Sequence, residues 1–510
     1  MTLFFPLLSE GDADNLQHST RGNSQFTGTE ALHALPTQVL AQSDLEAIHA
    51  TSLRVLEKVG VEFKGEAALD VFRQNGGAAV EGGRVYLSPQ TVEWAIDQAP
   101  GEFVLRARNP AHDLRLGQSQ VLYTSAFGAT FVCDAEQQIY RPATLDDLAE
   151  YVLLADRLEN VHYVLTPFIP QDIPPGVAEI YAAAVQFNNT EKHIGIGVPT
   201  AYYLDVVREM GGLVAEGADV DGPVYSLGAT VNSPLVYTGE MLAKMIHAAR
   251  HEIPLRVVSG ALAGATAPVT LAGALAMQNA EILAGISLCQ LVNPGCPVVY
   301  GTFVGGMDMR TGKWAAAGPE MSLINAGSAQ LCRMYGIPLG YGTGGVTDCR
   351  VPDVRAGFEK GLTNLGAALC GVEVIHDGVS GLMAGGMAIS FEQFIIDNEI
   401  ARWINRFLGG IEVNQDTLAF EVIQEVGPGG QFLDTAHTVS RFRGEHLISP
   451  LLGREYPLKW PASGEEDIVF RARRRAQEIL STHRPPELKP EVKAGIQSIL
   501  TRIGGERVLF

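Results

Sequence analysis

The sequence lacks most of the short signatures that would assign an activity outright. It has no P-loop, no HExxH, no GxSxG and no GxGxxG between a strand and a helix. Phosphate-cradling, zinc-protease, α/β-hydrolase and dinucleotide chemistries are thereby set aside. Cysteine is scarce, with Cys133, Cys289, Cys296, Cys332, Cys349 and Cys370 the only six in 510 residues and no CxxC pair among them. A thiolate zinc site or redox pair is not expected, and thiols in apolar surroundings fit a buried role in a reducing cytoplasm. Positive charge is short as well, 37 basic against 57 acidic residues for a net charge of −20, which argues against a nucleic-acid partner. No uncharged apolar run reaches the roughly 18 residues a membrane span requires. The first nine residues show neither the basic start nor the cleavage site of a signal peptide.

What the chain does have is alternation. Eight β-like runs, at 121–125, 162–168, 193–198, 224–230, 255–260, 297–303, 337–344 and 373–377, are each followed by a helix-like stretch. Parallel neighbours need a crossover helix, and continuous apolar strands suit a sheet covered on both faces. Eight such units predict an α/β fold, a (β/α)8 TIM barrel over residues 119–409, with chemistry at the C-terminal ends of its strands. Residues 1–40 read as a polar arm that wraps a partner subunit, so at least a homodimer is expected. Residues 41–118 read as a small α+β unit and 410–510 as a mainly helical extension. Helix starts are written locally: Ser88 before Pro89, Thr144 with Asp147 three residues on, and Asp353.

The predicted strand ends are crowded with glycine, including Gly260, Gly305, Gly344 and Gly345. A missing Cβ admits either a tight βα turn or a large planar ligand. Aromatic residues gather on or just after the strands, among them Tyr123, Phe127, Phe168, Tyr225, Tyr300, Phe303 and Tyr341. They read either as barrel filling or as a cage whose ring faces hold a quaternary ammonium. His376 ends the eighth strand and Asp348 follows the seventh, which makes them the candidate catalytic pair. Asn232, Ser233, Thr343 and His376 are candidate partners for a substrate carboxylate. His437 lies beyond the barrel and reads as structural. No lysine stands at a strand end in a Schiff-base position.

At these same segments the chain resembles the trimethylamine:corrinoid methyltransferase superfamily. The resemblance rests on Arg141-Pro142-Ala143-Thr144-Leu145-Asp146-Asp147-Leu148, on Asn232-Ser233-Pro234-Leu235, and on Gly344-Gly345-Val346-Thr347-Asp348 through Pro352-Asp353 and Ala356-Gly357-Phe358-Glu359-Lys360. It continues through 376–399 and the His437-Thr438 region and covers most of residues 40–500. It implies a barrel that moves a methyl group from a methylated amine to cob(I)alamin carried by a separate corrinoid protein, with no tightly bound metal. Founding members carry pyrrolysine, whereas this chain has only standard residues. Members without pyrrolysine resemble demethylases of quaternary amines such as glycine betaine. On that resemblance Tyr123, Phe127, Tyr225, Asn232, Phe303, Tyr341 and Thr343 are the expected substrate-binding residues. Gly260, Gly305, Gly344 and Gly345 are the expected corrinoid-facing positions. Two other readings stay open at this stage: a barrel lyase or hydrolase using His376 and Asp348 as acid and base, and a non-catalytic betaine-binding subunit.

Overall fold

The computed structural model describes residues 36–118, 120–134, 137–197, 200–453 and 467–510. Most of the proposed N-terminal arm, residues 1–35, lies outside the described residues. Its last stretch packs back on the same chain, with Thr37 N–H donating to Leu369 O and the Val39 and Leu40 N–H groups donating to Gln330 Oε1.

Eight parallel strands form one sheet: β1 (Leu122–Tyr123), β2 (Tyr163–Leu165), β3 (His193–Gly195), β4 (Tyr225–Val231), β5 (Leu255–Ser259), β6 (Val298–Thr302), β7 (Leu339–Thr343) and β8 (Val374–His376). Each falls inside one of the eight runs expected from sequence, except that β4 runs one residue beyond its run. Their order around the sheet is β1-β8-β7-β6-β5-β4-β3-β2. The ends meet through a parallel Thr124–Tyr163 bridge and the hydrogen bonds His162 N–H to Tyr123 O and Ser125 N–H to Tyr163 O. The sheet therefore closes on itself, and every strand but β4 is buried along its length.

The outer layer is α1 (Leu145–Arg157), α2 (Ala178–Asn189), α3 (Leu204–Ala218), α4 (Gly239–Arg250), α5 (Leu271–Val292), α6 (Pro319–Tyr335), α7 (Val354–Leu369) and α8 (Phe391–Leu408). Their starts follow the local chemistry. Thr144 Oγ1 accepts from Asp147 N–H while Asp147 returns the bond to Thr144 N–H and pairs with Arg141. Asp353 accepts from Ala356 N–H at 2.8 Å. Caps of this kind contribute about 1 kcal/mol each. Among the described residues α5 is the one helix long and apolar enough to cross a bilayer, but 83% of that window is buried inside the protein.

The bottom of the barrel is shut. A hairpin of Phe103–Leu105 and Leu114–Leu116 brings Leu105 and Leu116 into one apolar cluster with Tyr163, Val299 and Val374. Upstream, the strands Val61–Phe63, Ala78–Glu81 and Arg84–Leu87 form a small sheet that takes in Val236–Tyr237 from the loop after β4. The C-terminal helices Ile468–Thr482 and Pro490–Arg502 pack back on the barrel, tied by Arg473–Glu392, His483–Asp156 and Arg502–Glu209 ion pairs. Among the described residues this packing closes the floor and leaves the C-terminal ends of the strands as the face for a site.

Candidate active site

At that open end four strands bring aromatic rings together. His376 ends β8 and is buried. Its ring centroid lies 3.4 Å from that of Tyr341 on β7, 6.4 Å from Phe303 just past β6, and 6.4 Å from Phe127 just past β1. Trp314 backs Phe303 at 4.6 Å. Phe127 is exposed and Phe303 half-buried, so the cluster has one face toward the opening. Trp314 comes from a short hairpin, Gly305–Asp308 with Lys313–Trp314, inserted after β6. Sequence reasoning missed it, because two-residue strand pairing carries no periodic signal.

Asp377 fixes two members of the cluster. Its Oδ2 lies 2.8 Å from His376 Nδ1, at ion-pair distance but without a directed hydrogen bond, and Nε2 has no partner among the described residues. Its Oδ1 accepts from Phe127 N–H at 3.2 Å. Burial holds the His376 pKa below its ordinary value, against the pull of Asp377 and with Arg256 adding to the drop. The imidazole is neutral near pH 7, so it offers a cation a π face and a lone pair rather than a positive charge. Burial raises the Tyr341 hydroxyl well above the usual phenol range, which rules it out as a ready base.

Tyr123 and Tyr225, two other expected site residues, fall elsewhere. Tyr123 is buried and donates its hydroxyl to Asn405 Oδ1 on α8, so it faces the helical layer. Tyr225 packs edge-on against Phe187 of α2 and over Gly211 of α3. Neither lines the opening. In strands buried on both faces, hydropathy does not distinguish inward from outward side chains. Thr343 is on the inner face beside Tyr341, but its Oγ1 donates to Thr302 O within the sheet. Ser233 donates to the buried carboxylate of Glu281, which also accepts from Ser259 Oγ and Leu235 N–H. Asn232 is exposed at the top of β4.

Asp348 does not pair with His376. It sits half-buried in the loop after β7, where its N–H donates to Glu359 Oε2 and its carboxylate accepts from the backbone of Ala316. Burial, then Glu359, raises its pKa. The carboxylate beside His376 is Asp377, the next residue in the chain.

Three of the four glycines expected to face a corrinoid are explained by internal packing. A Cβ at Gly305 would stand 2.3 Å from Trp314 Nε1, and one at Gly344 2.3 Å from Asn364 Oδ1. Gly345 has φ +37° and would drive a Cβ to 2.0 Å from Asp377 O. All three are buried. Gly260 alone is exposed at the rim, with nothing nearer its Cβ position than 3.9 Å.

A strut holds the loops after β7 and β8. Lys360, buried on α7, donates to Gly345 O and to Asp397 Oδ2 at 2.7 Å. Asp397 also accepts from Ser380 and Gly381 N–H and from Gln393 Nε2. Among the described residues one His/acid set is close enough to hold a metal ion, Asp205, His247 and His251, with ligand atoms within 4.8 Å. It lies on α3, on α4 and just past the end of α4, in the outer layer. Around the rim, the hairpin Phe131–Asp134 with Ile139–Pro142 touches Met387 and Arg350. Ile139, Tyr140, Val351, Val354, Phe358 and Met387 are exposed there.

Residues 9–504 match the family described as trimethylamine methyltransferase (MTTB). The chain is 37% identical to a glycine betaine methyltransferase of Desulfitobacterium hafniense (strain Y51), over 92% of this chain and 97% of the relative. It is 35% identical to the trimethylamine methyltransferase MttB of Desulfitobacterium hafniense (strain DSM 10664 / DCB-2), over 90% and 92%. Identity to the trimethylamine methyltransferase MttB of Methanosarcina barkeri (strain Fusaro / DSM 804) is 32%, over 94% and 98%. Among solved structures, the monomethylamine methyltransferase MtmB of Methanosarcina barkeri aligns with a TM-score of 0.46 at 13% identity, over 86% of this chain and 94% of that one.

Proposed function

The chain belongs to the trimethylamine methyltransferase (MTTB) family, and from that membership we propose that it demethylates a quaternary amine, glycine betaine foremost, with cob(I)alamin on a separate corrinoid protein as the methyl acceptor. The observation that carries this reading is the ring cluster of Phe127, Phe303, Tyr341 and neutral His376 at the open end of the barrel. A desolvated cation over an aromatic face gains about 2 kcal/mol, and several faces act on one ammonium.

The chemistry asks little else of the protein. The C–N bond breaks with its electron pair left on nitrogen, so the leaving group is a neutral tertiary amine. The nucleophile's electron pair comes from the cobalt of the acceptor. What remains is to hold one N–CH3 bond in line with the incoming metal and to keep water away. No general base is required, which agrees with an opening where His376 is held neutral and Asp348 faces its own loop. A tertiary amine would first need quaternising, and this sequence has no pyrrolysine to do that.

The acceptor has a surface to meet. The exposed Phe127, Thr230, Asn232 and Gly260 border the opening, and the apolar side chains of Val354, Phe358 and Met387 flank it. A buried contact with a second protein would shield the methyl group in transit. Elsewhere, Ile411, Val413 and Phe420 are exposed between α8 and the last helices, which supports the expectation of a homo-oligomer.

The test is a substrate panel. Purified enzyme with cob(I)alamin should convert glycine betaine to dimethylglycine, read as the rise of methylcobalamin absorbance, and should leave trimethylamine untouched. No absorbance change with glycine betaine, proline betaine or carnitine would count against the reading.

A further inference from the structure

A betaine has two charged ends, and the ring cluster satisfies only one. Two of the polar groups first considered for the other end are occupied, Ser233 by Glu281 and Thr343 by Thr302; Asn232 is exposed at the rim, and His376 is itself one of the rings. Inside the barrel, however, one cation has no such partner. Arg256 stands on the inner face of β5, paired in register with Gly228 on β4 and Val299 on β6. It is 5% exposed, makes no hydrogen bond or ion pair with any described residue, and its Nε is buried without an acceptor. Its guanidinium lies 5.3 Å from the Tyr163 ring and 5.7 Å from the Tyr341 ring. A buried charge held only by ring faces is costly to keep. Its five donors remain free for an anion.

The space around it differs below and above. Below, the hairpin leaves a cavity of only 10 Å³ lined by Leu105, Leu116, Val299 and Val374, room for at most one water. Above, the inner face of β4 is accessible: Thr230 is exposed and Gly228, two residues deeper, is half-buried. A Cβ at Gly228 would stand 3.1 Å from Arg256 Nη2, so the missing side chain brings the accessible surface right up to the guanidinium. Tyr341 touches Arg256 on the deep side and His376 on the shallow side.

We infer that Arg256 is the specificity-determining residue that anchors the carboxylate of the substrate at the floor of the barrel, leaving the trimethylammonium among the rings at the open end. This rests on the methyl-transfer reading above and adds the orientation to it. Carboxylate down and ammonium up is the pose that presents a methyl group to an acceptor docking at the rim. A single methylene separates the two charges in glycine betaine, so Tyr341 serves both halves of the pocket. The arrangement selects against amines that lack an anion, because they would leave the guanidinium desolvated and unpaired.

The test compares two ligands on two variants, by calorimetry on the full-length protein without corrinoid and by KM for methyl transfer. Glycine betaine carries the carboxylate and tetramethylammonium does not. Arg256→Gln should weaken glycine betaine by about 100-fold, the scale of losing charged hydrogen bonds to both carboxylate oxygens, and leave tetramethylammonium within about threefold. Gly228→Ala, which retains Arg256 and narrows its approach, should also weaken the betaine selectively. Equal losses for both ligands, or an unchanged betaine KM in a folded Arg256→Gln protein, would overturn the anchor while leaving the proposed function standing. Wild-type protein that neither binds nor demethylates any betaine would overturn both.

Discussion

Replacing Phe303 by leucine isolates the contribution of one ring face. Phe303 is half-buried, contacts Trp314 at 4.6 Å, and stands 6.4 Å from both Tyr341 and His376. Leucine keeps most of the apolar volume but has no quadrupole to attract a cation. A partly desolvated cation–π contact of about 1–2 kcal/mol converts to roughly 5- to 30-fold in affinity. The informative comparison is with 3,3-dimethylbutyrate, in which carbon replaces the ammonium nitrogen of glycine betaine and the shape is retained. Isothermal titration of both ligands should show the loss for the betaine and near-equality for the isostere that lacks the cation. Similar losses for the two ligands would mean that the rings provide shape and not charge recognition, and the cage argument would fail.

Other expectations follow from the same geometry. His376 is held below the ordinary histidine pKa by burial, with Asp377 opposing and Arg256 assisting, so it stays neutral above pH 7 and gains charge only as pH falls below that range. Betaine affinity should be flat from pH 7 to 8 and decline on acidification as a cation appears in the cage. Affinity that strengthens toward pH 5 would contradict this, and His376→Gln should flatten the profile. Lys360→Met leaves Asp397 buried without its counter-ion and should cost about 3–5 kcal/mol in denaturant unfolding, with Lys360→Met/Asp397→Leu recovering part of it. A single-variant loss under 1 kcal/mol would show that the pair braces nothing. Gly345→Ala adds a Cβ against Asp377 O at a positive φ. It should lower both the melting temperature and turnover, and wild-type turnover in that variant would separate the β8 turn from the site.

The barrel was legible in the sequence because each strand lies in a short apolar run, most of them beside glycine or proline, followed by a long helical period. The caps at Thr144 and Asp353 were legible because their chemistry is local. Which side of a strand faces inward was not, since β2, β3, β5, β7 and β8 are buried on both faces and show no alternation. That is why Tyr341 and Tyr225 looked alike, although one meets His376 and the other meets Phe187. Glycines misled for a related reason: Gly305, Gly344 and Gly345 answer to Trp314, Asn364 and Asp377 across the fold, and no local pattern records such contacts. Arg256 escaped notice because a lone arginine in an apolar strand has no motif. Its meaning depends on Gly228 on the next strand and on the lack of an ion-pair partner among the described residues.

The central claim is direct transfer of one intact methyl group from a quaternary amine. Glycine betaine bearing three CD3 groups, incubated with the enzyme and cob(I)alamin, tests it by mass spectrometry of both products. The account predicts methylcobalamin carrying one CD3 and an equal amount of dimethylglycine retaining two. Unlabelled methylcobalamin, or loss of the label without formation of dimethylglycine, would contradict it.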